Sequence, residues 1–160
     1  MSDANDTSPT DTDDSHPPRS PDAVTAESPY TIPGFFTALT EGRLLGARCL
    51  DCETRLVPPR PACYSCGSRD LEIEPQPKDG TVYSYTEVAR PASQFADEAP
   101  FTVAVVELDT GAKLTGRLET PYDETEIRMP VRWTVRAAGN LPDSGLEHER
   151  DWPLPVFEPA

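Results

Sequence analysis

At 160 residues the chain suits one domain or two small ones, and its 28 acidic side chains against 14 basic ones give a formal charge of −14 at neutral pH. The start, Met-Ser-Asp-Ala-Asn-Asp-Thr, is acidic and polar rather than a secretory leader, and no apolar run approaches the roughly eighteen residues of a membrane span, so a cytosolic protein is expected. The bases are twelve arginines and only two lysines, Lys78 and Lys113, a balance that suits solubility at high salt, where a Debye length of about 3 Å at 1 M screens long-range repulsion, and that points to a halophilic source.

Residues 1–30 read as a disordered acidic tail. Asp3, Asp6, Asp11, Asp13, Asp14, Asp22 and Glu27 face a single Arg19 among Ser, Thr and Pro, and such a segment buries too little apolar surface to offset its ordering entropy. His16 lies inside it without a second ligand at useful spacing and reads as a solvated histidine. Residues 33–42 then place Phe35, Phe36 and Leu39 on one side of a short helix, punctuated by Pro33 and Gly42. A helix of this length is not stable alone in water, so its aromatic face must pack, either on the adjoining ribbon or on a partner protein.

Residues 43–49 form a predicted strand that leads into the strongest chemical signal of the chain. The four cysteines make two pairs, Cys49-Leu50-Asp51-Cys52 and Cys63-Tyr64-Ser65-Cys66, with ten residues between them. In a reducing cytosol paired cysteines favour metal over disulfides, and two such turns supply the four thiolates of a tetrahedral Zn2+. The spacer is shorter than the usual fifteen to twenty or so residues, yet long enough for a short ribbon. Gly67 allows the positive φ on which such knuckles close, and Pro58, Pro59 and Pro61 exclude a helix between them. A ribbon this small is expected to draw most of its folding free energy from the metal, on the order of 10 kcal/mol. Four thiolates leave no open position, so the ion is structural, and iron would fit the same sulfurs. Around it Arg43, Arg48, Arg55, Arg60 and Arg69 outnumber Asp51, Glu53 and Asp70. Their planar forks suit phosphates or carboxylates of a ligand or partner, or else pair with nearby acids.

After a linker with Pro75, Pro77 and the turn Lys78-Asp79-Gly80 the hydrophobic period changes to two. Strands are predicted at 81–88, 101–108, 112–118 and 131–136, with Leu114, Gly116 and Leu118 on one face of the third and Val131, Trp133 and Val135 inward in the last. Four or five short antiparallel strands in about sixty residues suggest a small OB-like barrel, because closure removes the sheet edges. Residues 89–100 and 138–151 read as loops, the second with a solvated His148, and residues 152–157 as an apolar segment that packs back on the barrel or on a partner. The chain is thus mainly β: tail 1–30, helix and ribbon 31–74, barrel with C-terminal extension 75–160.

The ordered set formed by the aromatic helix from Phe35 to Leu44, the knuckle Arg48-Cys49-Leu50-Asp51-Cys52, Pro58-Pro59-Arg60, the knuckle Cys63-Tyr64-Ser65-Cys66-Gly67-Ser68, Gly80-Thr81-Val82-Tyr83-Ser84-Tyr85-Thr86 and the strand from Val103 to Asp109 resembles the DUF35 family, over roughly residues 33–137. Glu53 stands where relatives often have Gly, and Phe36 where Trp is common. The resemblance implies a rubredoxin-like zinc ribbon followed by an OB-fold, in a protein that works beside thiolase-superfamily enzymes. In archaea that is a bridge between acetoacetyl-CoA thiolase and HMG-CoA synthase early in the mevalonate pathway; in bacteria the relatives accompany steroid-degrading hydratases and aldolases. A non-catalytic scaffold is expected, with Arg43, Arg48, Arg55 and Arg60 and the phenylalanines Phe35 and Phe36 as candidate contacts to CoA, acyl-CoA or a partner. It agrees with the residues themselves, which offer no Ser-His-Asp or Cys-His set. Zinc ribbons and OB-folds also bind single-stranded nucleic acid, with Tyr83 and Tyr85 as stacking candidates. Residues 80–140, however, carry six bases against nine acids, the wrong balance for tracking phosphates.

Overall fold

The computed structural model describes residues 27–137 and 152–160. The expected tail through residue 26 with His16, and the loop 138–151 with His148, lie outside the described residues. The fold is entered earlier than composition suggests. Ser28 and Tyr30 are buried, and the Tyr30 hydroxyl donates to the Leu71 carbonyl at 3.0 Å. One aromatic ring with a bonded hydroxyl is enough to anchor a segment that otherwise lacks apolar side chains.

Helix α1 spans Ile32–Thr40. Thr31 caps it, its side chain accepting from the Gly34 N–H at 3.2 Å, and Pro33 sits in the first turn where its missing N–H costs nothing. Gly42, at φ 77°, ends it while the Arg43 N–H bonds back to the Ala38 carbonyl at 3.0 Å.

Two sheets follow. In the first, β1 (Leu45–Cys49) lies between β2 (Arg55–Leu56) and β3 (Leu71–Pro75), all antiparallel. The second is a closed barrel of β4 (Asp79–Val88), β5 (Phe101–Leu108), β6 (Lys113–Leu118), β7 (Pro130–Arg136) and β8 (Leu154–Pro159), in the order β4-β5-β6-β8-β7. Burial alternates residue by residue along β5, as a strand with one face on a core requires. β8 closes the cylinder, running antiparallel to β7 and parallel to β6. The terminal segment expected to pack against the barrel is therefore one of its strands. The loop at 89–100 contains a 3-10 helix, Ser93–Glu98, whose Glu98 carboxylate takes Arg117 of β6 at 2.8 Å and Arg136 of β7 at 2.7 Å.

Two apolar clusters result. The smaller gathers Tyr30, Ala47, Cys49, Leu56, Cys63 and Leu71 in the ribbon. The larger fills the barrel with Val82, Val106, Leu108, Val131, Trp133 and Phe157 among others, and it includes Phe35, Leu39 and Leu44. The buried aromatic face of α1 thus packs into the barrel core, while the helix also lies against β1 of the ribbon. At the junction, the buried Gln76 donates its backbone N–H to Leu44 (2.8 Å) and accepts at its side-chain oxygen from the Thr110 hydroxyl (2.7 Å), tying the ribbon to the β5–β6 turn.

Candidate metal centre

The two cysteine turns are near copies of one another. In the first, the Glu53 N–H bonds the Cys49 carbonyl and the Cys49 N–H bonds the Thr54 carbonyl, both at 2.9 Å. In the second, the Gly67 N–H bonds the Cys63 carbonyl at 2.9 Å and the Cys63 N–H bonds the Ser68 carbonyl at 2.8 Å. Each turn needs a left-handed residue after its second cysteine, supplied by Gly67 at φ 76° and by Glu53 at φ 63°. Glycine takes that conformation freely, whereas a side chain there costs roughly 1–2 kcal/mol. The cross-link between the turns, a hydrogen bond from Ser68 to the Asp51 carboxylate, holds them face to face.

This folding brings all four sulfurs within 4.8 Å of one another. Cys49 and Cys66 approach to 3.6 Å, as do Cys52 and Cys63. A tetrahedron with Zn–S bonds of about 2.3 Å has S···S edges of about 3.8 Å, so the cradle fits the ion. Cys49 and Cys63 are buried and Cys52 and Cys66 exposed, which gives the site one wall toward the ribbon core and one toward solvent. The Thr54 side chain, 3.1 Å from Cys52 Sγ, with the Thr54 backbone N–H, holds the Cys52 thiol down to about 6. Cys66, although the Ser68 backbone favours its thiolate, is pushed up to about 12 by the adjoining sulfur of Cys52. The Cys52 sulfur thus favours its thiolate form, and the charge of a bound ion would favour the thiolate at every sulfur it holds. The four thiolates make a structural zinc site. Thr54 and Ser68 are its supporting residues that the spacing alone does not name; the signal for them is the hydroxyl residue repeated two places after each pair.

The arginines separate into three groups. Arg43 pairs with Glu41 beside α1. Arg48 reaches Glu72 at 3.5 Å and Glu74 at 3.8 Å, and Arg55 binds Glu74 at 2.8 Å, so the two tie β1 and β2 to β3. Arg60 makes no ion pair among the described residues and lines a cleft with Arg55, Tyr64 and Lys113. Of the two phenylalanines, Phe35 is 2% exposed in the barrel core, which removes it from any surface role. Phe36 stacks on Trp152 at 4.8 Å between ring centres and keeps partial exposure.

Comparison with known proteins places this geometry. Two family profiles match in tandem: the rubredoxin-like zinc ribbon domain of ChsH2 over residues 36–72 and the C-terminal OB-fold domain of ChsH2 over residues 74–136. The chain is 38% identical over 129 residues to a probable enoyl-CoA hydratase alpha subunit of Thermomonospora curvata, a match covering 79% of this chain but only 36% of that subunit. A DUF35 domain-containing scaffold protein of Methanothermobacter thermautotrophicus is 31% identical over 105 residues, 64% of this chain and 79% of that one. In the solved structure of an Ltp2-ChsH2(DUF35) aldolase, one chain superposes with a TM-score of 0.61 at 36% identity, covering 79% of this chain and 91% of that one. With ribbon and barrel both matched in this order, and most of an archaeal scaffold's length covered, the chain belongs to the DUF35 family.

Proposed function

We propose that this protein is a non-catalytic accessory subunit of an acyl-CoA enzyme, carrying its zinc for structure alone. The observation that bears most weight is the 36% identity over 91% of a chain whose solved structure is an Ltp2-ChsH2(DUF35) aldolase. Three archaeal relatives at 30–33% identity are named as scaffold proteins, which supports the same class of role. The chemistry of the site agrees, since a four-thiolate ion has no position at which to activate water, and among the described residues every cysteine belongs to that site. No helix among the described residues is long and apolar enough to cross a membrane.

The partner in this reading is a thiolase-superfamily enzyme. The aldolase neighbour and the hydratase-subunit relative favour a partner that cleaves or hydrates acyl-CoA. The archaeal relatives, named as scaffolds, agree with a scaffold role in general; a second arrangement, a bridge between acetoacetyl-CoA thiolase and HMG-CoA synthase that keeps their CoA-bearing intermediate from diffusing away, rests on the family resemblance. A tagged copy purified from its host at native salt, followed by mass spectrometry, separates the two. A single thiolase-like enzyme or hydratase indicates the first, thiolase together with HMG-CoA synthase the second. Recovery of no acyl-CoA enzyme at all overturns the proposal.

A further inference from the structure

Where the ribbon meets the barrel there is an open cleft of about 100 Å3, several times the roughly 10–15 Å3 that holds one water. It collects three cations from separate parts of the chain: Arg55 of β2, Arg60 of the proline-rich spacer and Lys113 at the start of β6. Tyr64, 68% exposed in the second knuckle, and Gly111 of the β5–β6 turn complete its rim. No acidic side chain lines it, although acids outnumber bases two to one in the whole sequence. Arg55 spends its Nε on Glu74, Lys113 lies 3.5 Å from Glu107 and 4.6 Å over the Tyr83 ring, and Arg60 makes no ion pair among the described residues. Glu74 and Glu107 thus offset two of the three charges, and the surplus centred on Arg60 leaves the cleft net positive toward an incoming anion.

The cleft is also held in shape before any ligand arrives. Pro59, buried, and Pro61 flank Arg60 and limit its backbone. The turn bearing Gly111 is pinned by the hydrogen bond from Thr110 to Gln76. Gly111 itself, at φ 86°, would meet nothing within 4 Å if given a side chain, so the rim there is open.

We propose that this cleft binds a phosphoryl group, with the forks of Arg55 and Arg60 and the ammonium of Lys113 meeting its oxygens. Arg43 and Arg48, paired elsewhere, are not part of it. A phosphate seated among these cations leaves the exposed face of Tyr64 on the rim for a ring beside it. A phosphorylated nucleotide and free phosphate are the two sources. The first rests on the acyl-CoA reading above, and because the binding is measured on the chain alone it succeeds or fails separately from partner capture.

The test is titration of the zinc-loaded full chain, by amide NMR and calorimetry at low salt, with inorganic phosphate, adenosine 3′,5′-bisphosphate and adenosine. Saturable shifts centred on Tyr64 and Gly111 with both phosphates, none with adenosine, and a weakening of about tenfold or more in Arg60→Gln are expected. Lys113→Gln, which lies outside the metal turns, should weaken binding as well while the remaining spectrum and the zinc content stay unchanged. Tighter binding of the bisphosphate supports the proposal with a nucleotide as source, and equal binding supports it with free phosphate. Absence of saturable shifts, or equal affinity in Arg60→Gln, overturns it. So does an aspartate-rich peptide that occupies the cleft more tightly than either phosphate, which would make it a docking place for protein carboxylates.

Discussion

Stripping the zinc with a strong chelator under reducing conditions should melt the ribbon and leave the barrel folded, with α1 remaining on the barrel's side. Apart from its two cysteine ligands, the ribbon cluster holds only three large side chains, Tyr30, Leu56 and Leu71. At roughly 1.5–3 kcal/mol for each buried side chain they contribute about 5–9 kcal/mol, less than the roughly 10–16 kcal/mol typical of a structural zinc site. The barrel cluster has thirteen buried members, including Trp133 and Phe157, none of them a metal ligand. Phe35 and Leu39 belong to that cluster, so α1 should keep its hydrogen bonds although it precedes the ribbon in sequence. Hydrogen exchange read by mass spectrometry, with and without chelator, resolves the two units. Peptides covering β1, β3 and Tyr30 should exchange at the rate of unfolded chain, and those covering α1, β5 and β7 should stay protected. Loss of α1 protection together with the ribbon, or exchange of the whole chain at once, would refute the partition.

Three further outcomes follow from local geometry. Phe157→Ala should cost about 3–5 kcal/mol, because the ring is fully buried where β8 closes the barrel; Gly116→Ala should cost about 1–3 kcal/mol, since an added Cβ meets that ring at 2.7 Å. In denaturant unfolding of zinc-loaded protein the double variant should cost less than the sum, and strict additivity would contradict the contact. Gly67→Ala should weaken zinc binding about 5–30-fold in a chelator competition, the equivalent of roughly 1–2 kcal/mol of left-handed strain, while Glu53→Gly at the matching position should bind zinc at least as tightly. Glu98 is held below the ordinary carboxylate range by its hydrogen bond to Arg136, then by Arg117. Its lowered value adds stability above the unfolded carboxyl pKa near 4.5 that is lost as pH falls below it. Glu98→Gln should therefore be less stable than wild type at pH 7 by about 1–2 kcal/mol, with the gap closing below pH 4 in thermal melts.

The metal site was legible because it depends on residues near in sequence. Cys-x-x-Cys turns close on themselves, and Gly67 announces its own backbone conformation. Glu53 in the same conformation is not announced, since only the symmetry of the two turns demands it. The barrel was legible through the period-two alternation of β6 and β7, but its closure was not. β8 carries Pro153 before it and Pro155 within it, which weakens any strand signal, and its partner β6 lies some forty residues away. β3, at the end of the expected ribbon, is a strand that the sequence reading does not name, although Leu71 and Ile73 alternate with Glu72 and Glu74. Those glutamates decide the fate of Arg48 and Arg55, and only the register of β1 against β3 shows it. The host of the α1 aromatics was invisible for the same reason, because an amphipathic face states that it must be covered and not by what.

Zinc content and enzyme capture, measured on the same tagged preparations from the host at native salt, test the central claim most directly. Wild type should carry one zinc per chain and recover an acyl-CoA enzyme, thiolase-like or hydratase. Cys63→Ser should lose both together, while Arg60→Ala, outside the sulfur cradle, should keep its zinc. Wild-type protein that holds its zinc yet recovers no such enzyme would contradict the accessory-subunit account.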